Sequence, residues 1–177
     1  MSKYGPLSEA TIKSYAKQLL SGLDYLHENK VIHKDIKGAN ILVDTDGIVK
    51  LSDFGCSKLI EKTLTLYLKE NKNNGIQGSI PWMAPEVIKQ TKYGRKSDIW
   101  SFGCTILEMI TGQQPWFGYS FDNAVAAIMK IGLGDEIPAI PEDISPSLHT
   151  FLLDCLQRDP EKRSGVKTLL NHQFLVS

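Results

Sequence analysis

The stretch His33-Lys34-Asp35-Ile36-Lys37-Gly38-Ala39-Asn40, followed by Ile41-Leu42-Val43 and later by Asp53-Phe54-Gly55, decides how the rest of the chain is read. Ile41-Leu42-Val43 and Ile48-Val49-Lys50-Leu51 are short β-branched runs separated by Asp44-Thr45-Asp46-Gly47, where Asp-Gly supplies the positive-φ chemistry of a hairpin turn. A small two-stranded ribbon is therefore expected between the two polar segments. It would bring Asp35, Lys37, Asn40 and Asp53 together without any long-range folding assumption. Phosphoryl transfer needs such a set: a carboxylate to orient the attacking hydroxyl, a cation for the phosphate, and oxygen ligands for magnesium. Taken singly, each of these residues also reads as a solvated loop side chain, and Asp53-Phe54-Gly55 alone as a turn.

Outward from this core segment the pattern is helical. Ser8 is placed to cap a helix over residues 8–28, whose apolar positions Ile12, Tyr15, Ala16, Leu19, Leu20, Leu23 and Leu26 recur at three- and four-residue intervals. Residues 58–78 are polar and rich in Lys, Asn and Thr, and Asn71-Lys72-Asn73-Asn74-Gly75 offers nothing to pack, so a mobile loop is expected. Apolar stripes predict helices over 97–110, closed by Gly112, and over 122–131, closed by Gly132. Ser145-Pro146 pairs a cap with proline at the first helical position and opens a helix through Phe151, Leu152, Leu153 and Cys155. A short helix follows over 166–171. With no internal repeat or linker, residues 1–177 read as one mainly α domain with one ribbon and one long loop.

Composition narrows the function classes. A chain of 177 residues with 42% hydrophobic content can bury an ordinary core. Its 20 basic and 20 acidic residues cancel, leaving no electrostatic footprint for nucleic acid or an anionic membrane. Cys56, Cys104 and Cys155 are odd in number and widely spaced, with no CxxC pair, which argues against a disulfide framework or a zinc site and for a reducing, intracellular setting. No apolar run approaches the ~18 residues of a membrane span, and no signal-peptide core follows Met1.

The two polar segments resemble the HRDxKxxN loop and DFG triplet of the eukaryotic protein kinase family. The resemblance continues in order. Gly78-Ser79-Ile80-Pro81-Trp82-Met83-Ala84-Pro85-Glu86 is similar to the substrate-side segment ending in APE, and Ser97-Asp98-Ile99-Trp100-Ser101-Phe102-Gly103 to the helix that follows it. Arg163, within Asp159-Pro160-Glu161-Lys162-Arg163, completes the set. It implies a protein-kinase-like fold, C-lobe only: a helical lobe with a small β-ribbon, the N-lobe being absent. Lys37 followed by Gly38-Ala39 resembles the serine/threonine pattern, with Ser79 at the family's usual threonine position. Gly103-Cys104-Thr105-Ile106-Leu107-Glu108-Met109 and its neighbours are most similar to MAP kinase kinase kinases.

By resemblance, Asp35 is the catalytic base and Lys37 neutralises charge on the transferring phosphoryl group. Asn40 and Asp53 hold magnesium, and Leu42, flanked by Ile41 and Val43, forms the floor under adenine and part of the core. ATP and Mg2+ are the implied cofactors. His33 and Phe54 stack in the hydrophobic spine, Asp98 accepts backbone hydrogen bonds from the catalytic loop, and Glu86 pairs with Arg163. The usual arginine before the catalytic aspartate is Lys34, a point charge without a two-pronged grip on phosphate. Activation would then lean less on that contact. Thr63 and Thr65 are the candidate phosphosites, with Ser57, Tyr67 and Ser79 behind them.

The resemblance also sets limits. The Gly-rich loop over the phosphates, the strand lysine and its helix glutamate do not occur in these 177 residues, so an upstream N-lobe is needed to bind ATP and the isolated chain is expected to be inactive. The resemblance implies a protein substrate, such as a downstream kinase, in the cytoplasm. A non-catalytic, kinase-derived binding module is the alternative, and a metal-dependent hydrolase is disfavoured because it leaves the other motifs to coincidence. Cys56 reads as a small inert residue, and Trp116, Phe117 and Tyr119 as a packed loop between helices.

Overall fold

A computed structural model describes residues 5–53, 80–89, 94–119 and 123–177. Helix α1 (Glu9–Glu28) starts where Ser8 Oγ accepts the Thr11 backbone N–H. Its buried residues Ile12, Ala16, Leu19, Leu20, Leu23 and His27 form one face. That face packs on a long central helix, on the two C-terminal helices and on the ribbon. The ribbon pairs β1 (Ile41–Val43) with β2 (Val49–Leu51) antiparallel, Leu42 opposite Lys50. Ile48, expected in the second strand, belongs to the turn instead. Asp44 captures it, accepting its N–H on Oδ1 and donating its own N–H to the Ile48 carbonyl. Gly47 takes φ 77° in that turn, as an Asp-Gly corner requires. Gln18 on α1 ties the turn down, accepting the Val49 N–H and donating to the Gly47 carbonyl.

The short helix α2 (Pro85–Ile88) leads to α3 (Arg95–Thr111), which begins two residues before the expected start and runs through the core with Ile99, Trp100, Phe102, Cys104 and Ile106 buried. Gly112 closes α3 in the left-handed region at φ 68°, where a side chain would be strained. Helix α4 (Ala124–Ile128) is capped by Asn123 and widens into a π-turn over Met129–Leu133. Asp122, the expected start, lies outside the described residues. Gly132 does not close this helix; Gly134 follows its last turn with an ordinary negative φ. The reason for Gly132 is contact, since a Cβ there would stand 2.7 Å from Ile88 Cγ2.

Ser145 Oγ accepts the Leu148 N–H and Pro146 opens α5 (Pro146–Cys155), as expected. Helices α6 (Val166–Leu170) and α7 (Gln173–Val176) finish the chain, the last being unanticipated because its two buried residues, Phe174 and Leu175, are too few to show a period. The molecule is thus the expected mainly helical domain with one small ribbon. Among the described residues no helix is long and apolar enough to cross a membrane. The expected loop over 58–78, with Thr63, Thr65, Tyr67, Ser57 and Cys56, lies outside the described residues, as do Phe54 and Ser79. Trp116 is buried and meets Tyr119 edge-on at 6.2 Å, so this aromatic group packs, although Tyr119 itself is exposed.

Candidate active site

The site grows from Asp98, buried near the start of α3. Its Oδ1 accepts the Lys34 backbone N–H at 2.9 Å, while Oδ2 accepts the His33 N–H at 3.0 Å and faces His27 Nε2 at 2.9 Å. Those bonds hold the loop at 33–34 against the central helix, with Lys34 at φ 73°. A lysine in the left-handed region costs energy that the surrounding bonds offset, and such outliers cluster at functional sites. His27 was not singled out in the sequence, although it continues the buried face of α1 one turn past Leu23. A polar residue on an apolar stripe was the available signal.

His33 joins the loop to the segment after the ribbon. Its Nδ1 accepts the Asp35 N–H at 3.3 Å, so the ring proton sits on Nε2 and is donated to the Ser52 carbonyl at 3.1 Å. Ser52 also donates its N–H and its hydroxyl to the Asn40 carbonyl, at 2.9 and 3.0 Å. Asp53, exposed and at φ 65°, therefore follows a residue pinned to both ends of the loop.

Asp35, Lys37 and Asn40 meet directly. Lys37 Nζ lies 2.8 Å from Asp35 Oδ2, and Asn40 Nδ2 donates to that same oxygen and to the Asp35 carbonyl, each at 2.8 Å. Both amide hydrogens of Asn40 are thereby committed, which leaves its Oδ1 to act as an acceptor or metal ligand. No hydrogen bond joins Asp53 to the other three; its place is set through Ser52. An amide oxygen and a carboxylate are hard donors that suit Mg2+, an ion that takes few protein ligands and keeps waters and phosphate oxygens. No cluster of three or more His, Cys, Asp or Glu suited to a metal occurs among the described residues.

Leu42 departs from expectation. The resemblance makes it part of the core, yet it is 57% exposed, and Val43 and Ile48 beside it are exposed too, while Ile41 alone of the strand is buried. Alternation puts Leu42 on the strand face opposite Ile41, while Val43 shares the Ile41 face but lies at the turn end of the ribbon, where it is exposed. On the far side, Arg163, 1% exposed, donates to both oxygens of Glu86 at 2.7 and 3.0 Å, and Ser97 Oγ donates to Glu86 Oε1 at 3.0 Å. This scaffold anchors α2 and the segment before it.

The pattern describing the family "Protein kinase domain" matches residues 1–175. The chain is 49% identical to mitogen-activated protein kinase kinase kinase A of Dictyostelium discoideum, over 100% of this chain and 18% of that protein. It is 48% identical to mitogen-activated protein kinase kinase kinase MST11 of Pyricularia oryzae, over 99% of this chain and 19% of that protein. Identity to mitogen-activated protein kinase kinase kinase 2 of Arabidopsis thaliana is 44%, over 99% and 26%. The chain thus spans 18–26% of the length of these curated relatives.

Proposed function

The chain belongs to the protein kinase domain family, and from that premise we propose that it is the catalytic C-lobe of a cytoplasmic serine/threonine kinase that transfers the ATP γ-phosphoryl group to a protein substrate. The observation that carries this reading is the convergence of Lys37 and Asn40 on one oxygen of Asp35. Asp35 orients the substrate hydroxyl and takes its proton. Lys37, held beside it, neutralises charge on the phosphoryl oxygens. Asn40 and Asp53 would hold magnesium, which supplies charge neutralisation across the phosphates when bound. Leu42 supplies the adenine floor, and its exposed face supports a nucleotide site covered from the other side by a second lobe. The relatives' names describe kinases that act on MAP kinase kinases, and a downstream kinase is accordingly the proposed substrate.

The test is phosphate transfer from labelled ATP to a recombinant MAP kinase kinase. Residues 1–177 alone should transfer none. The same residues joined to a nucleotide-clamping N-lobe should transfer it, and Asp35→Asn should lower that rate by about 10²–10⁴-fold, the usual contribution of a positioned base. Full activity in Asp35→Asn would refute the assignment.

A further inference from the structure

Glu108 takes no part in the chemistry above. It is the single charged residue between Asp98 and Gly112, in a helix otherwise buried on most sides. Its Oε2 accepts the Gly38 backbone N–H at 3.0 Å and the Trp82 Nε1–H at 3.1 Å. Gly38 belongs to the loop that carries Lys37 and Asn40, and Trp82 to the turn Ile80–Trp82 ahead of α2. We propose that Glu108 is a positioning residue that couples these two segments, so that a change in the substrate-side turn is passed to the catalytic loop through one carboxylate oxygen. The proposal rests on reading residues 33–40 as that loop.

Three features support the coupling. The platform is stiff, for Leu107 and Met109 on either side of Glu108 are buried, and Ser101 on the same helix donates to the Trp82 carbonyl at 2.8 Å. Position 38 is built for the carboxylate: a Cβ there would stand 2.7 Å from both of its oxygens. The glycine of the Lys37-Gly38-Ala39-Asn40 motif therefore has a steric reason. Burial also pushes the Glu108 carboxyl above its ordinary range, against the opposing effect of the Gly38 and Trp82 donors. A half-buried carboxylate that loses one of two donors gains by turning toward water, and it then abandons the other donor as well.

Amide and indole hydrogen exchange in the 177-residue chain tests this directly. Trp82→Phe should speed exchange at the Gly38 N–H by about tenfold, the equilibrium value of a charge-assisted hydrogen bond. Gly38→Ala should do the converse at the Trp82 Nε1–H, which also covers the case in which Trp82→Phe fails to fold. In Glu108→Ala both sites should open, with Trp82→Phe adding nothing further at Gly38, and Glu108→Gln should restore part of the protection. Unchanged Gly38 exchange in Trp82→Phe, with unchanged Trp82 exchange in Gly38→Ala, would overturn the coupling. In the form joined to an N-lobe, Glu108→Ala should lower kcat by about tenfold while leaving the KM for ATP near its original value, with partial rescue by Glu108→Gln. A form joined to an N-lobe that transfers no phosphate, with coupled exchange in the 177-residue chain, would refute the proposed function alone. Transfer without coupled exchange would refute the coupling alone.

Discussion

Arg163 grips Glu86 in a two-pronged pair inside the protein, Nη1 to Oε1 at 2.7 Å and Nη2 to Oε2 at 3.0 Å. Its remaining donors go to the carbonyls of Gln157, Lys96 and Arg158, and its guanidinium stacks over Trp100. Three stretches distant in sequence thus close on one side chain. Removing one partner of a buried pair leaves the other charge uncompensated, at about 3–5 kcal/mol. Arg163→Ala should therefore unfold the domain or lower its melting temperature steeply. Arg163→Lys should recover little of this, because a point charge cannot reproduce the fork. An unchanged melting temperature in Arg163→Ala would show that the pair is not a scaffold element.

Asp98 supports a second prediction. In Asp98→Ala, the His33 and Lys34 N–H groups and the His27 ring lose their acceptor together. Each buried donor left unmade costs about 1–3 kcal/mol, and the three act as a unit, so a loss near 3 kcal/mol or more is expected in denaturant melts. Asp98→Asn keeps one acceptor oxygen and should cost less. His27→Ala should remove only part of the effect, because the backbone bonds to 33 and 34 remain; if His27→Ala matched Asp98→Ala, the ring and not the loop would be what Asp98 holds.

These networks show what sequence could and could not reveal. Ser8, Ser145-Pro146 and Gly112 were legible because caps and left-handed turns are decided by a few adjacent residues. Asp35, Lys37 and Asn40 were legible as a group for the same reason, since their hydrogen bonds span no more than five residues. Gly132 was misread as a helix stop because its reason, the approach of Ile88, is tertiary. Leu42 was misread as core because alternation along a strand does not say which face finds a partner. Glu108 has no role in the sequence beyond its place in a family motif, and His27 has none, although each breaks an apolar pattern; the groups they hold, Gly38 and Trp82 for Glu108 and Asp98 for His27, lie 26 to 71 residues away in the chain.

Gly103 marks the crossing of α3 and α5. A Cβ at this position would lie 2.7 Å from Cys155 Cβ and 3.1 Å from a Leu156 methyl, with the Cys155 atom unable to swing aside. Gly103→Ala must push the helices apart in a core where Phe102, Phe151 and Cys155 are all fully buried. Overpacking of this kind costs about 1–3 kcal/mol, more than the gain from a better helix former. Calorimetry should show a lower melting temperature for Gly103→Ala, whereas Gly103→Ala with Cys155→Gly should recover part of the loss. A stabilised single variant would mean that the two helices do not meet as closely as described.

Cys104 and Cys155 are buried free thiols, and loss of solvation pushes both well above the ordinary thiol value of 9.0. The thiolate is the reactive form, so neither should react with iodoacetamide at pH 8 in the native protein, and both should react once it is unfolded. The same shift has a sign for stability. The folded state keeps these protons where the unfolded state releases them, so ν_N exceeds ν_U and unfolding free energy falls as pH rises past 9.0. Urea melts from pH 8 to 10 should show this alkaline loss, and the slope should flatten in the Cys104→Ala/Cys155→Ala protein even if that variant is less stable throughout. Equal slopes in the two proteins, or native-state alkylation at either cysteine as fast as in urea, would contradict the burial of these groups.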